Sequence, residues 1–308
     1  MDLISFKKGL KSTLKSEDTE GAFELYVTRT PGYIWALFFK KLGVHPNVVT
    51  IISIVLGVLA GYMFYFDDLK YGIIGIFLLI WANWYDCADG QLARMTGKKS
   101  LLGRILDGFA GDLWFFSIYF FICLRLNESW GIYIWILASF SGFICHSKQC
   151  ALADYYRNIH MFFQKGNVNS EYDTSAKQAV KFKSLSWKKN WFEKLYLVFY
   201  IKYTRSQESM SPKLQKLLKG VDRKWISVGE DIPSDFRDRY RNYSKPLMKY
   251  TNILTFDTRA FVLFLSILFK EPWFFFVFEV TILNIIFFYM RYRHESFCNI
   301  MYKDFGLE

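Results

Sequence analysis

Six apolar blocks run through this chain, at 47–66, 71–93, 104–124, 130–154, 253–270 and 272–291. Each is close to the roughly 20 residues needed to cross about 30 Å of hydrocarbon, the fifth being short. Inside lipid every backbone N–H and C=O must be satisfied within its own segment, so such blocks fold as helices. The expected fold is therefore an all-α integral membrane protein with six transmembrane helices. Composition agrees, because 52% hydrophobic and 20% aromatic residues exceed what a soluble domain ordinarily carries. Cys87, Cys123, Cys145, Cys150 and Cys298 form no CxxC pair and read as small buried hydrophobes.

Lysine and arginine orient the helices, since short cytoplasmic loops carry the positive excess. Lys7, Lys8, Lys11, Lys15, Arg29, Lys40 and Lys41 precede the first block, Arg94, Lys98, Lys99 and Arg104 follow the second, and Arg291 and Arg293 follow the last. The opposite loops are poor in cations. Both termini and the loop after the second block are thus expected in the cytoplasm, in an inner or plasma membrane if the source is bacterial. The N-terminal stretch has neither an apolar h-region nor a small-residue cleavage site, so no secretory signal is expected. A net charge of +11 would also suit nucleic acid, but no nucleic-acid-binding signature occurs, and lipid surface or anionic substrate are the expected partners.

These signals divide the chain into an arm (1–45), helices 1–4 (46–157), an insertion (158–250), helices 5–6 (251–291) and a cytoplasmic tail (292–308). The arm places Phe23, Leu25, Tyr26, Ile34, Trp35, Phe38 and Phe39 among charges and reads as an amphipathic juxtamembrane helix. The insertion breaks the hydrophobic pattern and reads as a long cytoplasmic connection between helices 4 and 5. Within it, residues 191–202 mix apolar and basic residues at helical spacing. That suits either a helix lying in the membrane interface or one packed on the arm.

Chemistry concentrates at the facing ends of the second and third blocks. Ionisable groups there are costly and mark a functional site. Asp86 and Asp89 are three residues apart and share a helix face. Asp107, across the short loop, can meet them. Three carboxylates without His or Cys make an oxygen-only site suited to Mg²⁺ or Mn²⁺, and so to a phosphate or pyrophosphate substrate. Gly90, Ala93 and Gly103 are small where the acids gather, which permits close helix packing and, beside the acids, fits a nucleotide cleft. Arg94 either pairs with a phosphate or snorkels to the interface.

Residues Asp86, Asp89, Gly90, Ala93, Arg94, Gly103 and Asp107 stand in the register D-x-x-D-G-x-x-A-R, eight residues, G-x-x-x-D-x-x-x-D. This resembles the CDP-alcohol phosphotransferase family. The segment Pro46-Asn47-Val48-Val49-Thr50 is similar to the P-N-x-x-T that opens the first helix in many members. The resemblance implies that the first three aspartates hold the metal ions gripping a CDP diphosphate, with Asn47 and Thr50 also at the nucleotide. It implies a last aspartate acting as general base and metal ligand, a lipid donor such as CDP-diacylglycerol, CMP as leaving group, and a homodimer. One position departs from the pattern. The last aspartate belongs at 111, where this chain has Gly111, with Asp112 following. One residue turns a helix by about 100°, so Asp112 serves only if a π-bulge between 107 and 112 restores its direction; otherwise the site is altered or silent.

Lys148, Arg157 and Arg259, near the cytoplasmic ends of the fourth and fifth blocks, are candidates to bind an acceptor that itself carries phosphate, unless Asp154 and Asp257 neutralise them. Inositol phosphate or inositol is the expected acceptor. Glycerol phosphate, an amino alcohol, or a catalytically silent scaffold are the alternatives. An ion-coupled carrier would spread its acids through several helices, and these do not.

Overall fold

The computed structural model describes residues 3–14, 16, 18–21, 23–98, 100–165 and 173–307. Lys15 and Lys99, counted above among the cytoplasmic cations, lie outside them, as do residues 166–172 of the expected insertion. Among the described residues every regular element is helical. The α-helices are α1 Leu3–Thr13, α2 Thr30–Lys41, α3 Pro46–Met63, α4 Leu69–Thr96, α5 Leu101–Trp130, α6 Ile132–Ser139, α7 Ser147–Lys165, α8 Ser175–Ser184, α9 Trp187–Ser209, α10 Pro212–Lys224, α11 Ser234–Ser244, α12 Met248–Ile253, α13 Phe256–Leu268, α14 Trp273–Phe278 and α15 Asn284–Asp304. π-Helical segments span Glu24–Arg29, Phe140–His146 and Glu279–Leu283.

Among the described residues, five helical stretches are long and apolar enough to cross a bilayer: Pro46–Met63, Leu69–Thr96, Leu101–Trp130, Ser234–Leu268 and Trp273–Asp304. The block expected at 130–154 is helical but is not among the five. Its apolar run stops at Cys145, and His146, Lys148, Gln149 and Asp154 follow. The last two stretches also run longer than their apolar cores. In particular, the segment read as a tail from 292 continues as helix α15 to Asp304.

The chain forms two compact units, Met1–Ile144 with Arg259–Val280 and Cys145–Thr258 with Thr281–Glu308. In the first, α3 packs on α4 and α5, and α2 packs on α4. Ala36, Phe39, Val49, Ala88 and Leu92 form a buried cluster where α2, α3 and α4 meet. Small residues let these helices approach, as membrane helices require. A Cβ on Gly57 would sit 2.1 Å from the Trp114 ring.

This unit also buries an ion pair. Arg259 and Glu279 are both fully buried and salt-bridged, and Tyr119 and Ser141 donate hydrogen bonds to Glu279 Oε2. The pair thus ties together α5, the Phe140–His146 segment, α13 and the start of the Glu279–Leu283 segment. Breaking one side strands the other charge, at a cost of about 3–5 kcal/mol. Glu279→Gln is therefore expected to lower thermal stability in detergent by that order, whereas Arg259→Met combined with Glu279→Gln recovers most of the loss. Unchanged stability of the single variant would contradict the pairing.

In the second unit, α10 buries Leu214, Leu217, Leu218 and Val221 and packs on α15. Glu295 of α15 accepts hydrogen bonds from the Lys213 and Leu214 amides at 2.7 and 3.1 Å, placing a carboxylate at the N-terminus of α10. His294 stacks on Tyr156 with ring centroids 3.6 Å apart. Much of the 158–250 segment is thus helical and packs into a core shared with α7 and α15.

Candidate metal and nucleotide site

The site grows from three helix ends in the first unit. Gly97, with φ +69°, follows the end of α4 in the left-handed region that glycine adopts without a Cβ clash. Ser100 caps α5, its Oγ accepting from the Gly103 amide at 2.9 Å. The same Oγ donates to Asn47 Oδ1 at 3.1 Å, so the first turn of α3 is tied to the first turn of α5. A Cβ on Gly103 would meet Asn47 Oδ1 at 2.6 Å, and this contact requires glycine. Asn47 and Gly103, both expected at the nucleotide, are therefore neighbours.

Beside them, Asp86 and Asp89 of α4 and Asp107 of α5 each offer a carboxylate oxygen, and the three oxygens lie within 4.8 Å of one another. Asp86 is half-buried, Asp89 is buried and Asp107 is exposed. Asp89 Oδ2 is buried with no hydrogen-bond partner. A buried carboxylate oxygen left unmatched is costly, and three such groups at this spacing repel one another. An oxygen-coordinated divalent cation removes both costs, so the residues present fit Mg²⁺ or Mn²⁺. Thr50 is buried against Asp89. The Arg94 guanidinium lies over Gly90, its Nη1 3.4 Å from where a Cβ would sit. Arg94 thus sets a cation beside Asp89.

The expected π-bulge is absent. Residues 107–112 lie in regular α-helix, and the π-helical segments fall elsewhere. Five residues along a regular helix amount to a net rotation of about 140°. Asp112 is exposed and is not one of the clustered acids. Nothing crowds Gly108 or Gly111, so no neighbour forces the extra residue of a bulge into this turn.

Of the acceptor candidates, Arg259 belongs to the first unit and is salt-bridged to Glu279. Lys148 and Arg157 belong to the second unit. Lys148 is exposed, and Arg157 donates to Asn252 Oδ1 at 2.7 Å.

Two further contributors escape a motif reading. Gln91 occupies a variable position of the pattern, yet its Nε2 donates to the Arg29 carbonyl at 3.2 Å, and Trp84 Nε1 donates to the Val27 carbonyl at 2.9 Å. The segment leading into α2 is thereby fastened to the helix that carries Asp86 and Asp89. Ser100 was legible in principle, as a serine directly before an apolar helical run.

Comparison with known proteins agrees with this geometry. Over 92 residues, 30% of its length, the chain is 39% identical to archaetidylinositol phosphate synthase of Pyrococcus horikoshii. The match spans about half of that relative, 47% of its length. Residues 43–160 match the model of the CDP-alcohol phosphatidyltransferase family.

Proposed function

We propose that this domain transfers a lipid-bearing phosphate from a CDP-linked donor such as CDP-diacylglycerol to an alcohol, releasing CMP. The observation that carries the reading is the clustering of Asp86, Asp89 and Asp107, in the family's register, around one buried carboxylate oxygen with no protein partner. These three residues would hold Mg²⁺ or Mn²⁺. When bound, the cation neutralises the diphosphate and stabilises CMP as a leaving group.

The chain's own groups supply the rest. Arg94, folded over Gly90, offers a positive charge to a phosphate oxygen. Gly90, Ala93 and Gly103 leave room for the nucleotide, with Asn47 and Thr50 as polar neighbours. The acceptor hydroxyl attacks the phosphorus attached to the lipid, the bond to CMP breaks, and the hydroxyl proton passes to a carboxylate. Asp112 is the family's candidate for that proton, but a regular helix turns it away from Asp107. Proton removal is accordingly the weakened step.

An inositol phosphate is the proposed acceptor, supported by the name of the Pyrococcus relative. Topology follows the distribution of cations. Both termini, the 158–250 insertion and the carboxylates face the cytoplasm, and two copies pair as a homodimer.

The test uses purified full-length protein with Mn²⁺ or Mg²⁺, labelled CDP-diacylglycerol and a panel of alcohols. CMP release is expected to be fastest with myo-inositol phosphate, ahead of inositol, glycerol phosphate and serine. If no acceptor releases CMP, the transferase reading fails. The regular helix at 107–112 favours one other reading, a silent scaffold of the same fold. Saturable binding of CDP-diacylglycerol without any turnover would identify it.

A further inference from the structure

Helix α9 has two faces of different character. Leu197, Ile201, Thr204 and Gln207 are buried, as is Lys194 one turn earlier. Lys194 Nζ donates to the Leu185 carbonyl at 2.8 Å and lies over the rings of Phe182 and Trp187, so this face is fastened to the end of α8. The opposite face carries Trp191, Phe192, Leu195 and Phe199, spaced by one, three and four residues along successive turns. Trp191 is 59% exposed and Phe199 56%, with Leu195 at 42%. An apolar arc of this size is not left in water without cause. α9 is not among the described stretches long and apolar enough to cross a bilayer, so its apolar arc calls for another cover.

Charge identifies what that is. Between Thr174 and Gln207 the chain carries Lys177, Lys181, Lys183, Lys188, Lys189, Lys194, Lys202 and Arg205 against the single carboxylate Glu193. Glu193 is engaged by Lys181 at 2.7 Å. Lys188, Lys189, Lys202 and Arg205 are exposed and flank the apolar arc at its two ends. A tryptophan and phenylalanines between lysines is the pattern of a helix in the headgroup region, its rings among the upper acyl chains and its ammonium groups at the phosphates. The other helical stretches already hold the chain in a membrane, so this face meets lipid at high effective concentration and needs little intrinsic affinity.

We propose that the Trp191–Phe199 face of α9 rests on an anionic lipid surface, with Lys188, Lys189, Lys202 and Arg205 binding lipid phosphates. The catalytic reading is not needed for this inference, which stands on exposure and charge.

The test places a nitroxide label at Leu195→Cys or Phe199→Cys in the full-length protein. Glu230→Cys, in an exposed loop, serves as the water-exposed reference. The unsubstituted chain corrects for the native cysteines, of which Cys87, Cys123, Cys145 and Cys298 are buried. Liposomes contain equal parts phosphatidylglycerol and phosphatidylcholine, or phosphatidylcholine alone. In the anionic liposomes the labels at 195 and 199 are expected to be relaxed by oxygen and protected from a water-soluble nickel chelate. The oxygen-to-nickel ratio should fall by at least about fivefold in phosphatidylcholine alone, the change expected if the attraction of even one surface cation, about 1 kcal/mol, is lost. The variant Lys188→Glu, Lys189→Glu, Lys202→Glu should show the same fall in anionic liposomes. Nickel accessibility in both lipids would overturn the proposal by placing the face in water. Shielding from both reagents would overturn it in favour of a protein cover, a second copy or another chain. A ratio indifferent to lipid charge would overturn the anionic preference.

Discussion

Replacing Asp89 by asparagine is expected to lower CMP release by at least about 10²–10³-fold, the scale on which loss of one well-placed electrostatic group acts. Asp89 is buried, and although Thr50 and Arg94 lie beside it, its Oδ2 has no hydrogen-bond partner in the protein, so that oxygen is left for a ligand. An asparagine of the same shape keeps the packing and removes the anionic ligand. Stability separates this from damage to the fold. Without metal, three carboxylate oxygens within 4.8 Å repel one another, and burial of one of them adds a desolvation cost. Asp89→Asn should therefore melt at a higher temperature than the parent chain in the absence of metal. The parent should gain stability on adding Mn²⁺, because a ligand that binds only the folded state stabilises it. The variant should gain none. Weakened stability without metal, or an undiminished gain with Mn²⁺, would remove Asp89 from the metal site whatever happens to turnover.

How much of this was readable in the residues depended on whether the signal was local. Asp86 and Asp89 were legible because a three-residue spacing places two groups on one face of any helix, and Asp107 because a short loop returns the chain to them. Five of the six apolar blocks were legible for the same reason, since hydrophobic length translates into a helix long enough to span, whereas the block at 130–154 is not among such stretches. Where a segment's partners came from far along the chain, the residues alone did not show them. The stretch after 292 looks like a charged tail, yet His294, Glu295 and Cys298 are buried in it, and the partner that makes Glu295 useful is the first turn of α10, some 80 residues away. Arg259 looked like a substrate-binding cation because nothing nearby marked Glu279 as its buried counter-ion. The insertion looked like a connection because its apolar residues are diluted by lysine, although Leu214, Leu217, Leu218 and Val221 recur at helical spacing and do form a core. The bulge expected before Asp112 was illegible for a different reason. A π-bulge is a local distortion that glycine permits but does not compel, and nothing packed around Gly108 or Gly111 compels one here.

That regular turn yields the second large effect, a gain of function. Gly111 is four residues after Asp107 and shares its face, whereas Asp112 is turned about 140° from it. A side chain at 111 has space, since a Cβ there meets no atom within 4 Å. Exchanging a mid-helix glycine for aspartate does not weaken the helix, because glycine is the poorer helix former. Gly111→Asp is thus expected to fold normally and to raise CMP release by about 10-fold or more, part of the 10²–10⁴-fold that a positioned general base contributes. The gain should appear in the maximal rate with little change in the CDP-lipid concentration giving half that rate, because the new carboxylate acts on the acceptor's proton and not on donor binding. Asp112→Asn, by contrast, should leave turnover within about twofold, as expected for a group outside the reacting set. The opposite pair of results is equally informative. If Asp112→Asn abolishes turnover while Gly111→Asp adds nothing, then α5 rearranges around Gly108 and Gly111 when substrate binds, and Asp112 is the base after all. A Gly111→Asp chain that gains activity even in the Asp112→Asn background fixes the proton acceptor on the Asp107 face. It would also show that the native glycine is what holds this enzyme below the rate its metal site could support.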